Sequence, residues 1–249
     1  MLTLIGLGLF DENDISLRAV EEAKNSDRIY IELYTSKWYG NLKNLEKIIG
    51  REITELKRKD LEENSNKILE EAKNKKVIIF VQGDPLIQTT HSSLLMEAKK
   101  LGIKTKVIHN ASILSAIAET GLHAQKFGPY VTIPFPEKTK GKLPESVFNV
   151  IRENKKRELH TLCLLDVIAE ENKFMTVKQG LEILLKGNVV TKENKIVVFT
   201  KAGSDSSKIA YNSVDGLIKT DILDIPAVII IPGKLHFTEK EYLEKNKAA

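Results

Sequence analysis

The sequence predicts an α/β protein of two domains, each on a mostly parallel sheet, with a ligand cleft between them. Three observations carry this reading. Strand and helix signals alternate along most of the chain, the pattern of parallel sheets covered by helices. Some predicted strands are continuous apolar runs, Val77 to Val81 above all, as expected where both faces are buried. Polar, glycine-bearing corners follow several strands, and α/β proteins bind ligands at the carboxyl ends of parallel strands.

Taken in order, Leu2 to Ile5 reads as a buried strand that runs into Gly6-Leu7-Gly8-Leu9. The acidic turn Asp11 to Asp14 then opens a helix whose apolar face is Ile15, Ala19, Val20 and Ala23. Arg28 to Leu33 is rich in β-branched and aromatic residues and reads as a strand. Leu61 to Lys73 reads as one charged surface helix, and Val77 to Val81 as a strand. Ser92 to Leu101 is helical, with Gly102 placed to end it. Lys104 to Ile108 is a strand, Ser112 is placed to cap a helix from Ile113 to Glu119, and Gly121 closes that helix. The domain boundary is expected between Gly121 and Gly128, giving domains 1–122 and 123–249. Beyond it, Tyr130 to Ile133, Leu159 to Leu165, Ile196 to Thr200 and Ala227 to Ile231 read as strands. Val147 to Glu153 and Val177 to Leu185 read as helices, and Pro134 to Lys142 as a polar loop. The charged tail Glu239 to Ala249 is expected to fray.

The chain's 249 residues suffice for a sizeable core. With 38 basic against 34 acidic residues the formal charge is only +4, which does not by itself imply nucleic acid. The single cysteine, Cys163, sits in an apolar run, so no internal disulfide and no thiolate metal centre is expected. No apolar run approaches the roughly 18 residues that span a bilayer, and no secretory leader is recognisable. A cytoplasmic protein without membrane contact is expected.

Candidate chemistry gathers at the corners. Paired glycines let backbone approach a ligand closely, because no Cβ intervenes. The dinucleotide fingerprint needs a third glycine three residues after Gly8, where Asp11 stands. Asp11, Glu12 and Asp14 would repel a pyrophosphate, so a ligand without phosphates is preferred; a plain strand-to-helix turn accounts for these residues equally well. Gly83-Asp84-Pro85 would hold the Asp84 carboxylate rigidly, to accept hydrogen bonds from a ribose or to pair with a cation, or simply to close an Asx turn. Thr89-Thr90-His91-Ser92-Ser93 offers helix caps and substrate contacts alike. His109-Asn110-Ala111-Ser112 would present free backbone N–H groups to a carboxylate, or cap a helix. Ala202-Gly203-Ser204 and Pro232-Gly233-Lys234-Leu235-His236 end two further strands; the second is not a phosphate loop, since Val228 and Leu235 occupy its required positions. The five histidines show no metal-ligand spacing, and neither a zinc-protease nor a nucleophile-elbow motif occurs.

Together these corners resemble the tetrapyrrole-methylase superfamily of S-adenosylmethionine-dependent methyltransferases, over nearly the whole chain. The resemblance rests on Leu4 to Leu9, Ile31 to Ser36, Gly83 to Leu86, Thr89-Thr90-His91, Ser112-Ile113, His160 to Leu162 with Leu165-Asp166, and Pro232 to His236. Tyr34-Thr35-Ser36 and Thr89-Thr90-His91 look like the segments peculiar to its diphthamide-pathway members. An arginine usual after Gly-Asp-Pro in tetrapyrrole-modifying members is missing from Gln88 to Ser93, which counts against a porphyrin-like substrate. The resemblance implies two α/β domains, usually in a homodimer, with S-adenosylmethionine in the cleft and S-adenosylhomocysteine as product. It implies cofactor contacts at Leu9, Asp84, Ile87, Ser112, Ile113, Leu165, Tyr211 and His236. It further implies methylation, up to a trimethylammonium, of the amino group on a modified histidine of translation elongation factor 2, with no metal and no direct nucleic-acid partner. No general base is identified; His91 and Asp166 are candidates, each with an ordinary structural role as the alternative. A methylase of a corrinoid precursor or of ribosomal RNA, and a non-catalytic adaptor on the translation machinery, stay open as other readings.

Overall fold

A computed structural model describes residues 1–245. They fall into two compact units, the first Met1–Ser115 and the second beginning at Ala116. The first contains β1 (Leu2–Gly6), α1 (Leu17–Lys24), β2 (Arg28–Glu32), α2 (Leu42–Ile49) and β3 (Thr54–Leu56). It continues with α3 (Arg58–Glu62), α4 (Asn66–Asn74), β4 (Val77–Val81), α5 (His91–Lys100) and β5 (Thr105–Ile108); a single helical turn, α6 (Ile113–Ala116), comes next in the chain.

Its five strands pair in the order β3-β2-β4-β1-β5, every pair parallel. All five residues of β1 and of β4 are buried, which is why β4 reads as an unbroken apolar run and β1 as a run broken only by Thr3 before its glycine. The chain leaving β1 heads for β2 on one side, whereas the chain leaving β4 crosses to β5 on the other. Parallel crossovers are right-handed, so α1 and α5 lie on opposite faces of the sheet. Ala19 and Ala23 of α1 and Leu45 and Ile49 of α2 pack with Ile5, Ile29, Ile31, Ile78 and Phe80. Beyond their first residues the chains leaving β1 and β4 therefore run to opposite faces, which makes the carboxyl ends of these neighbouring strands the switch point of the sheet.

The second unit contains β6 (Val131–Ile133), α7 (Glu145–Lys156), β7 (Thr161–Leu165), the ribbon of β8 (Val167–Ile168) and β9 (Lys173–Phe174), and α8 (Val177–Lys186). It ends with β10 (Lys195–Thr200), β11 (Lys208–Ser213), α9 (Val214–Thr220), β12 (Ala227–Ile231) and α10 (Phe237–Lys245). Its sheet runs β11-β10-β12-β7-β6, and only β6 and β7 are parallel. The α/β class holds in both units, but the parallel arrangement belongs to the first sheet. In the second, the link between β10 and β11 is too short for a crossover helix and forces a hairpin. The core here gathers Phe148, Ile151, Cys163, Leu181, Leu184, Ile196, Val198 and Ile229. Burial pushes the Cys163 thiol well above its ordinary range, so it is an inert apolar group.

Several elements differ from expectation for local reasons. The helix expected over Leu61 to Lys73 is two helices, because the Asn64 side chain and backbone N–H both bond the Lys59 carbonyl and end α3. The acidic turn closes on itself as a 3₁₀ turn, Glu12–Asp14, and Ser16 caps α1 instead. At the corner before α6 the Ser112 N–H donates to Ser115 Oγ at 3.1 Å, and the backbone tightens to 3₁₀ from Ile117 to Thr120 before Gly121. The tail expected to fray is the helix α10 as far as Lys245, with Glu239 and Leu243 fully buried; residues 246–249 lie outside the described residues. Among the described residues no helix is long and apolar enough to cross a membrane.

Candidate functional site

The corners after β1 and β4 are clasped together. Gly8 N–H donates to the Gly83 carbonyl at 3.2 Å, and Gly83 N–H returns the bond to Gly8 at 2.8 Å. Both glycines are left-handed, at φ +89° and +69°, a conformation that costs other residues about 1–2 kcal/mol. Gly6 is needed for room: a Cβ there would strike the Gly83 carbonyl oxygen and lie 2.9 Å from Asn110 Cβ.

Asn110, in the corner after β5, staples the assembly. Its Nδ2 donates to the Gly6 carbonyl at 3.1 Å and to the Asp14 carbonyl at 3.0 Å. Its Oδ1 accepts from Ala111 N–H at 2.8 Å. Sequence reasoning placed Asn110 in a candidate corner but not in this role, because neither acceptor is near it in the chain.

Asp84 lies under this clasp, only 7% exposed. Its Oδ1 accepts from Leu86 N–H at 3.0 Å, which is the anticipated Asx turn. Its Oδ2 meets His109 Nδ1 at 2.7 Å, and His109 itself is largely exposed. The carboxylate is thus held from two sides on a rigid corner.

The acidic turn is structural. Asp14 Oδ2 accepts from Phe10 N–H at 2.6 Å and Asp11 Oδ1 from Asn13 N–H at 2.8 Å. Glu12 accepts from Asn41 N–H at 2.8 Å and from Asn44 Nδ2 at 2.9 Å; despite burial, these bonds hold its carboxyl below the usual range. Phe10 and Tyr39 stack at 4.8 Å, fastening the loop before α2 to this turn.

The Thr89-Thr90-His91 segment is braced locally. Thr89 Oγ1 donates to the Pro85 carbonyl at 2.8 Å, and His91 Nδ1 meets the same carbonyl at 3.2 Å. His91 is 3% exposed, and burial lowers its pKa. Glu32, at the carboxyl end of β2, is wholly buried. Burial pushes its carboxyl up to about 7, against the pull of the Thr35 hydroxyl, the Tyr34 and Thr35 amides and the Arg58 charge. Arg58 also lies 4.9 Å over the Tyr34 ring. Nothing in the strand pattern of Arg28–Glu32 distinguishes this acid from an exposed one.

Of the remaining candidates in the first unit, Leu9, Ile87 and Ile113 are partly buried around these corners and Ser112 is 8% exposed. In the second unit Leu165 ends β7, Tyr211 is a buried residue within the edge strand β11, and His236 is exposed just ahead of α10. Asp166 is a brace: Oδ2 accepts from Phe135 N–H at 2.9 Å, and Oδ1 binds Lys138 Nζ at 2.7 Å and Val167 N–H at 2.9 Å. Among the described residues no group of three or more His, Cys, Asp or Glu is arranged to hold a metal.

Residues 1–217 match the family model of the tetrapyrrole (corrin/porphyrin) methylases. The chain is 44% identical to a diphthine synthase of Methanocaldococcus jannaschii, over 98% of both chains. It is 41% identical to a diphthine synthase of Methanococcus aeolicus, over 98% of this chain and 97% of that one. A crystal structure of diphthine synthase superposes with a TM-score of 0.90 at 36% identity, covering 99% of this chain and 95% of the other.

Proposed function

Because the chain belongs to the tetrapyrrole methylase family, and within it to the diphthine synthases, we propose that it methylates the modified histidine of translation elongation factor 2. It is an S-adenosylmethionine-dependent methyltransferase. The expectations of a corrinoid or ribosomal RNA substrate, and of a non-catalytic adaptor, find no support among these relatives.

The observation that carries the reading is the clasped corner of Gly8 and Gly83 with the buried Asp84 carboxylate fixed beside it. S-adenosylmethionine has no phosphate to bind, and its sulfonium and ammonium are cationic. A corner that presents a fixed carboxylate and carries an acidic turn fits such a molecule and disfavours a dinucleotide. The glycine contacts show how closely these loops approach one another, leaving backbone rather than side chains at the strand ends. In this proposal Asp84 accepts hydrogen bonds from the ribose. Leu9, Ile87 and Ile113 exclude water, and Ser112 offers its backbone and hydroxyl. Leu165, Tyr211 and His236 are proposed as the second unit's cofactor contacts.

The bound cofactor supplies an already activated methyl group. The protein's share is to align the substrate amine in line with it and to exclude water, which accounts for large rate factors without covalent chemistry. The amine must reach the methyl unprotonated. His91 and Asp166 both hold backbone in place, so neither is assigned as its base. Repeated transfer to a trimethylammonium, a cytoplasmic homodimer as the working form, and independence of metal and nucleic acid belong to the same proposal.

The test is methyl transfer from labelled S-adenosylmethionine to purified elongation factor 2 bearing the unmethylated histidine adduct. Label should appear on that side chain alone, and mass spectrometry should count up to three methyl groups. Absence of transfer to the adduct, with transfer to ribosomal RNA or a corrinoid in parallel reactions, would overturn the reading.

A further inference from the structure

Far from Asp84 in the chain, a second buried carboxylate organises the loop that carries His236. Glu239, on the first turn of α10, is fully buried. Its Oε2 accepts from the His236 N–H at 2.6 Å and pairs with Lys126 Nζ at 2.5 Å. Its Oε1 accepts from the His123 N–H at 2.8 Å and meets His160 Nε2 at 3.0 Å. Burial works against the charge, but Lys126, the amides of His123 and His236, and His160 outweigh it and hold the carboxyl at about 2.

The bond to His236 alone would be an ordinary capping contact of an acid in a first helical turn. Such a cap works at the surface and does not require burying a carboxylate, which is costly unless every lone pair is engaged. Here the other partners come from Lys126, His123 and His160, more than 70 residues away in the chain.

His160 completes the arrangement, and its tautomer follows from its contacts. The Gly233 N–H donates to His160 Nδ1 at 2.9 Å, so in the neutral ring the proton sits on Nε2 and points to Glu239. His160 is wholly buried, and burial lowers its pKa, which keeps that ring neutral. One His160–Glu239 pair thus grips the amides at both ends of Gly233-Lys234-Leu235-His236. Between them the Lys234 carbonyl accepts from Lys126 Nζ, and Lys234 N–H donates to the Glu158 carbonyl at 3.2 Å. A Cβ on Gly233 would strike the Glu158 carbonyl, so the loop is seated directly on backbone. On this base stand exposed rings: His236, tilted against Phe237 at 4.3 Å and against His123 at 5.3 Å. Phe237 is 73% exposed. The loop is thus held firmly from below, while the His236 ring, its Nδ1 meeting Thr238 Oγ1 at 2.8 Å, stays exposed above it.

We propose that Glu239 is a positioning residue for the cofactor, its buried carboxylate fixing the backbone of the His236 loop so that His236 meets the ligand. This rests on the reading of His236 as a cofactor contact. Glu239 touches no substrate, and its effect passes through the loop.

The experiment is calorimetric titration of full-length Glu239→Gln, Lys126→Met and His236→Ala with S-adenosylhomocysteine, alongside methyl transfer at saturating cofactor. Glu239→Gln keeps one acceptor but turns N–H groups toward its other partners; its Kd should rise about tenfold or more. At saturating cofactor its turnover number should stay within about twofold of the parent, because no reacting group has changed. Lys126→Met should shift Kd the same way by less. If Glu239→Gln does not fold, Lys126→Met decides the matter, and an unchanged Kd for it overturns the proposal. If His236→Ala weakens binding while Glu239→Gln binds like the parent, the positioning role is overturned. If His236→Ala itself binds like the parent, the assignment of His236 to the cofactor fails first. Equal losses in turnover number and affinity in Glu239→Gln would mark a general structural role and also overturn it.

Discussion

Replacing Glu32 by glutamine should change how stability depends on pH, and the size of the change follows from the site. Glu32 is wholly buried at the end of β2, with Tyr34 N–H on one oxygen at 3.2 Å and the Thr35 hydroxyl on the other at 3.0 Å. Burial raises its carboxyl from 4.5 to about 7. Between these pH values the folded protein keeps a proton that the unfolded chain has lost, so stability falls as pH rises through this window. The displacement is about 2.5 pH units, each worth about 1.36 kcal/mol, so the wild type should lose about 3 kcal/mol between pH 4.5 and 8 through this group. Glutamine cannot ionise. Relative to the wild type, Glu32→Gln should therefore gain about 3 kcal/mol across the window, whatever fixed cost its amide incurs beside the Tyr34 N–H. Urea unfolding of both proteins at pH 5, 6, 7 and 8 measures the difference, and other titrating groups cancel in it. A difference that stays constant within about 0.5 kcal/mol from pH 5 to 8 would refute the reasoning.

The clasp and its staple make three further predictions. Gly8→Ala combines a left-handed backbone with a collision against Asp14 and should cost about 2–4 kcal/mol in urea unfolding; a loss below about 0.5 kcal/mol would show that the corner relaxes freely. Asn110→Ala should cost about 1–3 kcal/mol, and Asn110→Asp more at neutral pH, because its carboxylate would face the Gly6 and Asp14 carbonyls; an aspartate variant as stable as the alanine variant contradicts that geometry. Asp84→Asn should keep the fold, with its Oδ1 still free to accept from Leu86, while the Kd for S-adenosylhomocysteine rises about tenfold or more; unchanged calorimetric affinity would remove Asp84 from the site.

The elements most legible in the sequence are those whose environment is uniform along their length. β1 and β4 are buried on both faces, so apart from Thr3 their side chains are apolar, and the glycines after them mark the corners that meet. α2 went unread although its signals are all present, Asn41 as cap, Leu42, Leu45 and Ile49 at helical spacing and left-handed Gly50 as stop. β11 is polar and lies at a sheet edge, with one buried residue in six, so periodicity has little to act on. At the candidate site, Asp84 was legible because its turn is local, from a carboxylate to an amide two residues on. Asn110 and Glu239 were not, because their partners lie up to 116 residues away and neighbouring residues carry no trace of them. Glu239 fell inside a stretch whose charge suggested solvent, and only the fold reveals that its partners bury it.

The reciprocal amide bonds between Gly8 and Gly83 make two loop tips into one mechanical body. Neither tip can swing outward unless the other lets go, so their amide hydrogens should trade for deuterium through a shared opening and at matched rates. If S-adenosylmethionine binds at this corner as proposed, it meets a surface already in shape, and little of its affinity is spent on ordering the chain. On that proposal, discrimination there would rest on turning away molecules that do not match a fixed outline, not on moulding around those that do.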